Sequence, residues 1–257
     1  MNMTALLIDL DGVIYVQEKL IPGAIEAIQF IRQKNIPHRF VTNTTTHSRR
    51  QITGRLAQVG ITIPHDYLFT APVAAAQYLK KLVGAKCFFY TNPNIAEEFD
   101  GIAQVESEPT HIVIGDVGEG FSYEMMNRAF NMIHGGAEII ALQKNRFWIT
   151  REGLKLDAGA FIAALEYATG KTATVFGKPA VEFFHQACVS LELPPGDVAM
   201  IGDDLRADIE GAAAAGLMTI FVRTGKDKDK PLTGVEKQPG IVLNSIADLP
   251  TLLQHTK

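Results

Sequence analysis

Two aspartates, Asp9 and Asp11, stand two positions apart at the end of an apolar run that covers residues 5–8. The run predicts a strand buried on both faces of a parallel sheet, at whose carboxyl edge ligands bind in open α/β folds. Residues two apart on a strand point to the same side, so we expect the two carboxyl groups to converge. Two like charges at close range are costly unless a cation neutralises them or one carboxyl stays protonated. A bound Mg²⁺ with oxygen ligands would meet the first condition.

Further polar groups follow other predicted core elements. Thr42 and Asn43 end the predicted second strand, where a hydroxyl, an amide and exposed backbone N–H groups suit phosphate oxygens. The same pair of residue types also forms ordinary turns and helix caps, and that reading stays open. Lys178 lies in the short loop before Pro179, between two core elements. A lysine is most often a surface residue, but this position makes it a candidate countercharge for a phosphoryl group.

A second acidic segment contains Asp203, Asp204 and Asp208, after a predicted strand at 198–202 and at the start of an alanine-rich predicted helix. Helix capping and the helix dipole already explain acidic residues at a helix start. Asp203, at a strand terminus, would also supply the additional carboxylate that a hard octahedral cation prefers. Further on, the alternating charges of residues 226–230 predict a solvated loop.

Strands alternate with helices over roughly the first 80 residues and again from residue 174, which indicates βαβ units and a parallel sheet. The middle of the chain has its own strand and helix patterns and predicts a smaller α/β domain inserted into the first. We therefore predict an α/β fold with a core domain at 1–80 and 174–257. The inserted domain is predicted at 81–173.

Composition narrows the function. The 257 residues include 47% hydrophobic and 20% charged residues, as in ordinary globular enzymes. A net charge of -4 argues against a nucleic-acid partner or an anionic membrane surface. No apolar run is long enough to span a bilayer, and no leader pattern precedes the first strand, so we expect a cytoplasmic protein. Two cysteines give no disulfide framework.

The order of the motifs is more specific than any one of them. Asp-x-Asp-Gly follows the first strand, Thr the second, Lys precedes a late helix, and Gly-Asp-Asp-x-x-x-Asp follows the next strand. In this order the chain resembles the haloacid dehalogenase (HAD) superfamily of aspartyl-phosphate phosphatases, and within it the NagD-like branch with a type IIA α/β cap. Residues 40–45 (Phe-Val-Thr-Asn-Thr-Thr) and 164–169 (Ala-Leu-Glu-Tyr-Ala-Thr) are most similar to the phospholysine phosphohistidine inorganic pyrophosphate phosphatase group.

The resemblance, which covers nearly the whole chain, implies a Rossmann-like, doubly wound parallel-sheet core with an inserted α/β cap. It also implies a Mg²⁺-dependent phosphatase that hydrolyses small phosphorylated metabolites through an aspartyl-phosphate intermediate, with pyrophosphate or phosphoamide activity as a variant. A homodimer formed through the cap is a further implication. A non-hydrolytic phosphoacceptor module, a phosphomutase and a dehalogenase are the alternatives.

Roles carry over residue by residue. Asp9 would be the nucleophile, and Asp11 would protonate the leaving oxygen and then deprotonate the hydrolytic water. The implied phosphate-binding groups are Gly12, Thr42, Asn43 and Lys178. The implied Mg²⁺ ligands are Asp9, the Asp11 main-chain carbonyl and Asp203, while Asp208 and Asp204 would act through water or by orienting Lys178.

Two departures limit this transfer. Thr44 stands where many NagD-like members have Asn, so no contact by residue 44 is carried over. Residues 141–145 differ from the usual cap segment, so a sugar-phosphate or nucleotide substrate is not inherited either.

Overall fold

A computed structural model describes residues 3–16, 19–150, 153–234 and 236–255, with the backbone alone at residues 148–150. The chain divides into two compact units. The core unit comprises Met1–Thr42, Ile52–Phe69 and Lys178–Lys257, and the inserted unit comprises Asn43–Gln51 and Thr70–Gly177. The domain limits expected from the sequence stay a prediction. The observed division assigns residues 43–51 and 70–80 to the inserted unit.

The core unit is built on a parallel sheet with the strand Ala5–Asp9 near its middle. In spatial order the six strands are Ile241–Leu243, Met218–Val222, Val198–Gly202, Ala5–Asp9, His38–Thr42 and Leu68–Thr70. Ile8 pairs with Ile201 on one side and with Phe40 on the other, in parallel register on both. Strands from earlier and later parts of the chain therefore lie on opposite sides of the central strand. In doubly wound folds, ligands bind at this point, where the strand order reverses. The predicted α/β class is confirmed.

Burial explains why these segments form strands and helices. Every residue of Ala5–Asp9 is buried, as expected for a strand covered by helices on both faces. The helix Ala24–Gln33 buries Ala24, Ala27, Ile28 and Ile31, which is the i, i+3, i+4, i+7 stripe of an amphipathic helix. Each large apolar side chain buried in this way contributes about 1.5–3 kcal/mol to folding.

The remaining helices of the core unit flank this sheet in chain order. Arg49–Gln58 begins in the inserted unit and continues into the core unit. Two short strands, Tyr15–Val16 and Lys19–Leu20, pair in antiparallel orientation. The other helices are Val181–Ser190, the wide-turned Leu205–Glu210, Gly211–Ala214 and Leu249–His255, with 3-10 turns at His65–Tyr67, Pro195–Asp197 and Ile246–Asp248.

The inserted unit has a parallel sheet of its own. In spatial order its strands are Thr174–Val175, Glu138–Ala141, His111–Ile114, Lys86–Tyr90 and Ala103–Gln104. In a separate two-stranded sheet, Phe147–Thr150 pairs with Gly153–Leu156 in antiparallel orientation. The helices are Ala71–Lys81, Tyr123–His134 and Ala158–Thr169, with 3-10 turns at Pro93–Phe99 and Gly118–Gly120.

Local capping groups fix where the helices of the inserted unit begin. The side chains of Thr70, Ser122 and Asp157 each accept a backbone N–H of the first helical turn. A side-chain oxygen at this position satisfies a donor that has no partner within the helix. Over the described parts of the chain, none of the helices has the length and apolar character needed to cross a bilayer.

Candidate active site

The predicted carboxylate pair lies at the carboxyl end of the central strand. Asp9 is the last residue of Ala5–Asp9 and its side chain is buried, whereas Asp11 is exposed. Gly12 has a φ of 79°, a conformation that side chains other than that of glycine adopt at a cost. A Cβ at this position would also collide with the carboxylate of Asp203. Glycine therefore lets the loop after the first strand lie directly against the carboxylate that follows another strand.

Lys178 joins two of the predicted acidic residues. Its ammonium lies 2.7 Å from Oδ1 of Asp9 and 2.6 Å from Oδ1 of Asp208. All three side chains are buried, and only 4% of the lysine side chain is exposed. Burial alone would lower the pKa of Lys178, but the carboxylates of Asp208 and Asp9 outweigh it and raise that pKa. The lysine therefore carries a fixed positive charge next to Asp9.

Asp208 is held by two donors. Lys178 bonds to Oδ1, and the backbone N–H of Asp204 donates to Oδ2 at 3.1 Å. Gly202 makes room for this side chain, because a Cβ at Gly202 would collide with the Asp208 carboxyl group. Complete burial raises the pKa of Asp208 to about 7, although Lys178 opposes the shift. Asp208 is thus placed to orient the lysine.

Asp204 has the structural role that its position at a helix start suggested. Its carboxylate accepts the N–H groups of Arg206 and Ala207 and so caps Leu205–Glu210. Although burial opposes ionisation, the N–H of Ala207 and the ammonium of Lys226 hold the pKa of Asp204 below its ordinary value. Both interpretations of the acidic segment are therefore represented: Asp204 caps a helix, while Asp203 faces the other carboxylates.

Three carboxylates come close enough to share one ion. Oxygen atoms of Asp9, Asp203 and Asp208 lie within 4.8 Å of one another. Burial, followed by the charges of neighbouring carboxylates, raises the pKa of Asp203, and burial raises that of Asp9 against the opposing charge of Lys178. Crowded, buried carboxylates of this kind are stabilised by a cation, and an all-oxygen set fits a hard divalent ion.

The predicted phosphate-binding pair is divided between the two units. Thr42 is buried and ends His38–Thr42, the strand that pairs Val41 with Asp9. Thr42 is therefore the residue after Val41, which lies opposite Asp9 on the neighbouring strand. Asn43 is grouped with the inserted unit and is half-buried. Within the core unit the structure thus brings together Asp9, Gly12, Lys178, Asp203 and Asp208, with Asp11 and Thr42 at the ends of the same central strands.

The alternating charges of residues 226–230 predict a solvated loop, and for Asp227 this prediction is wrong. Asp227 is buried, and the backbone N–H of Lys226 donates to the Asp203 carboxylate. The hydroxyl of Thr224 donates to the carbonyl of Gly12 in the same region. One signal was available in the sequence: this loop leaves the same sheet edge as Asp203, because parallel neighbouring strands end together.

Comparison with known proteins agrees with this geometry. A haloacid dehalogenase-like hydrolase family model matches residues 6–103, and a HAD-hydrolase-like model matches residues 175–249. Haloacid dehalogenase-like hydrolase domain-containing protein 2 of Mus musculus is 35% identical over 254 residues, covering 98% of this chain and 97% of the relative.

Two further likenesses bear on the predicted subgroup. Phospholysine phosphohistidine inorganic pyrophosphate phosphatase of Rattus norvegicus is 36% identical over 265 residues, covering 99% of this chain and 96% of the relative. The structure of NagD from E. coli K-12 has a TM-score of 0.89 at 24% identity, covering 96% of this chain and 98% of NagD, which shows a common fold. The family expected from the order of the motifs is confirmed: the chain belongs to the haloacid dehalogenase-like hydrolases.

Proposed function

We propose that the protein is a Mg²⁺-dependent phosphatase that hydrolyses small phosphorylated metabolites through a phosphoryl group carried on Asp9. The observation that carries this proposal is the buried Asp9 carboxylate, held by Lys178 and close to Asp203 and Asp208. The similar rat protein is named as a phosphatase, which supports the same class of reaction. Phosphoryl transfer depends mainly on positioning and charge neutralisation, and this cluster supplies both.

In the first step, an oxygen of Asp9 attacks phosphorus. A bond from Asp9 to phosphorus forms, the bond from phosphorus to the leaving oxygen breaks, and Asp11 gives its proton to that oxygen. In the second step, water attacks phosphorus, Asp11 takes the water proton, and Asp9 leaves as a carboxylate. Splitting the hydrolysis into two displacements is the usual advantage of a carboxylate nucleophile.

Asp11 suits the acid–base role because its side chain is exposed, whereas Asp9 is buried against Lys178. Desolvation by its neighbours raises the pKa of Asp11, although Lys178 and Arg55 oppose the rise. A raised pKa keeps more of the protonated acid available near neutral pH. The side chain of Asp11 is exposed, so it can meet both the leaving group and water, whereas Asp9 is fixed by Lys178.

The divalent ion would be held by Asp9, Asp203 and the main-chain carbonyl of Asp11. When bound, Mg²⁺ offsets the negative charge of these carboxylates and of the phosphoryl oxygens. Asp208 would orient Lys178, and Asp204 would hold the loop that carries Asp203. The groups proposed to bind phosphoryl oxygens are Gly12, Thr42, Asn43 and Lys178. Pyrophosphate or phosphoamide activity, a cytoplasmic location and a homodimer through the inserted domain stay predictions.

The proposal is tested by phosphate release from p-nitrophenyl phosphate, pyrophosphate and a panel of phosphorylated metabolites, with Mg²⁺ and with excess EDTA. We expect Mg²⁺-dependent release that Asp9→Asn reduces by on the order of 10³-fold or more, because the amide is a poor nucleophile. Asp229→Asn, an exposed aspartate of the core unit, is the matched control and should retain full activity. Unchanged turnover in Asp9→Asn would exclude the assigned nucleophile.

Labelling with acetyl phosphate separates hydrolysis from the alternatives. A phosphatase should lose the label quickly, because Asp11 activates water for the second step. A label that persists for many minutes would instead indicate a phosphoacceptor module. Transfer of the label to a second metabolite would indicate a phosphomutase.

A further inference from the structure

Two short segments of the core unit hold each other at the sheet edge that carries Asp203. The first is residues 203–205, and the second is residues 224–227. The carboxylate of Asp203 accepts the backbone N–H of Lys226, and its carbonyl accepts the backbone N–H of Asp227 at 3.3 Å. The second segment thus contacts both the side chain and the main chain of Asp203.

Asp227 completes this arrangement in the opposite direction. Its Oδ2 accepts the backbone N–H of Leu205 at 3.0 Å. The ammonium of Lys230 lies 2.6 Å from its Oδ1. A buried carboxylate is costly unless it is hydrogen-bonded and paired, and Asp227 has both kinds of partner although its neighbours in the charged run are exposed. A solvated loop would not require any of these contacts.

The consequence concerns the orientation of Asp203. Leu205 lies two residues after Asp203, and the bond that its N–H donates to Asp227 fixes the peptide between residues 204 and 205. The N–H of Lys226 occupies one oxygen of Asp203 and so fixes the plane of the carboxyl group. Hydrogen bonds behind a ligating carboxylate determine its direction and thus the affinity for the ion.

We propose that Asp227 is a positioning residue for the metal site, which fixes residues 203–205 so that Asp203 is directed towards Mg²⁺ before the ion arrives. This inference rests on the proposed function, because it assumes that Asp203 binds Mg²⁺. Asp227 itself does not belong to the group of three carboxylates that can share an ion. Its effect is transmitted through the backbone N–H of Leu205 and the loop that contains Lys226.

The test is Mg²⁺ binding to the full chain by isothermal titration calorimetry, without substrate. Asp227→Ala should weaken binding on the order of 10-fold, the usual size of an effect behind a ligand. Asp227→Asn keeps an oxygen acceptor for the N–H of Leu205 but lacks the charge opposite Lys230. We therefore expect a smaller loss for Asn than for Ala. Asp229→Ala, an exposed aspartate of the same run, should bind Mg²⁺ like the wild type.

A second readout separates positioning from general loosening. In p-nitrophenyl phosphate hydrolysis, the Mg²⁺ concentration for half-maximal rate should rise by the same factor in Asp227→Ala. The kcat at saturating Mg²⁺ should stay within about twofold of the wild type, since the loss lies in metal affinity. A variant that is merely loosened would instead lose kcat at every Mg²⁺ concentration, which would overturn the inference.

The outcomes distinguish the two proposals. If the wild type binds Mg²⁺ without hydrolysing any phosphate compound, the proposed function fails while the binding test still decides the role of Asp227. If the wild type does not bind Mg²⁺, both fail. Equal Mg²⁺ affinity in the wild type and Asp227→Ala, or an equal loss in Asp229→Ala, overturns the inference. Should Asp227→Ala lack a cooperative melting transition, Asp227→Asn decides, and wild-type affinity in that variant overturns the inference.

Discussion

Two buried aspartates of the core unit have nearly the same set of partners and very different surroundings. Asp208 accepts a backbone N–H and pairs with Lys178 at 2.6 Å, and Asp227 accepts a backbone N–H and pairs with Lys230 at 2.6 Å. Lys178 is 4% exposed, whereas Lys230 is 61% exposed. We call Asp208 and Lys178 the inner pair, whose lysine lies away from water. Asp227 and Lys230 form the outer pair, whose lysine lies in water. The solvent exposure of the lysine, rather than its distance from the aspartate, distinguishes the two pairs.

The inner pair belongs to a group with more acidic than basic charge. Lys178 serves both Asp9 and Asp208, and Asp203 lies beside them. Burial leaves the carboxylates with raised pKa values, about 7 for Asp208. The outer pair has one carboxylate and one cation. An excess of buried negative charge is what a divalent ion would relieve, and of the two pairs only the inner one has such an excess, which supports the proposed metal site there.

The largest expected effect comes from removing the buried lysine, Lys178, and the exposed Lys230 is its comparison. At about pH 8, Lys178→Met leaves two buried carboxylates without their cation and should lower the free energy of unfolding by about 3–5 kcal/mol. Lys230→Met removes a solvent-exposed partner and should cost less than about 1 kcal/mol. The measurement is urea denaturation of both variants and the wild type in EDTA. Equal losses in the two variants would show that burial does not distinguish the pairs.

The next effect concerns pH and metal. Burial raises the pKa of Asp9 and of Asp203 to about 7, from an ordinary value of 3.8. The folded chain therefore binds protons that the unfolded chain releases, and in the metal-free protein stability should fall as pH rises from about 4 through about 7. Mg²⁺ should reverse the trend, because it binds the ionised carboxylates, and should add about 2.7 kcal/mol at a hundred times its Kd.

Thermal melting in EDTA and in Mg²⁺ measures how stability depends on pH and on the metal. The range from about pH 5 to pH 8 spans the raised pKa values of the buried carboxyl groups. Asp203→Asn is the matched variant, since it keeps the shape of the side chain and removes one of the titrating groups. Its melting temperature in EDTA should depend less on pH, and Mg²⁺ should stabilise it less. A metal-free wild type that melts at the same temperature across this range would contradict the expected crowding of charge.

The sequence alone was sufficient to predict the inner cluster, which consists of Asp9, Lys178, Asp203 and Asp208. It was insufficient to predict the outer pair, and the reason is physical. Asp9 ends one apolar strand and Asp203 follows its neighbour, and parallel strands end at a common edge, so their meeting could be predicted from local patterns. The loop that carries Asp227 starts at the same edge, but the burial of Asp227 depends on the conformation of a loop without periodicity. Alternating charge carries no signal of which carboxylate turns inward. The attachment of residues 43–51 to the inserted unit is likewise set by tertiary contacts rather than by strand or helix pattern.

The smallest expected effect concerns Asp204 and tests whether this residue caps a helix or binds the metal. Asp204 caps Leu205–Glu210 through the N–H groups of Arg206 and Ala207, and its Oδ2 lies 2.6 Å from the ammonium of Lys226. Asp204→Ala should therefore lower the free energy of unfolding by about 1 kcal/mol, the usual cost of a lost cap. Asp204→Asn retains a capping oxygen and should restore most of this stability. Urea denaturation in EDTA measures this difference in stability, and calorimetry measures Mg²⁺ affinity in parallel.

Asp204 is the carboxylate of neither the inner nor the outer pair. Asp204→Asn should therefore bind Mg²⁺ within about twofold of the wild type, a much smaller change than the roughly tenfold loss expected behind a ligand. A tenfold loss in Asp204→Asn would instead place this carboxylate among the groups that hold the ion and would remove the contrast between the inner cluster and its supports.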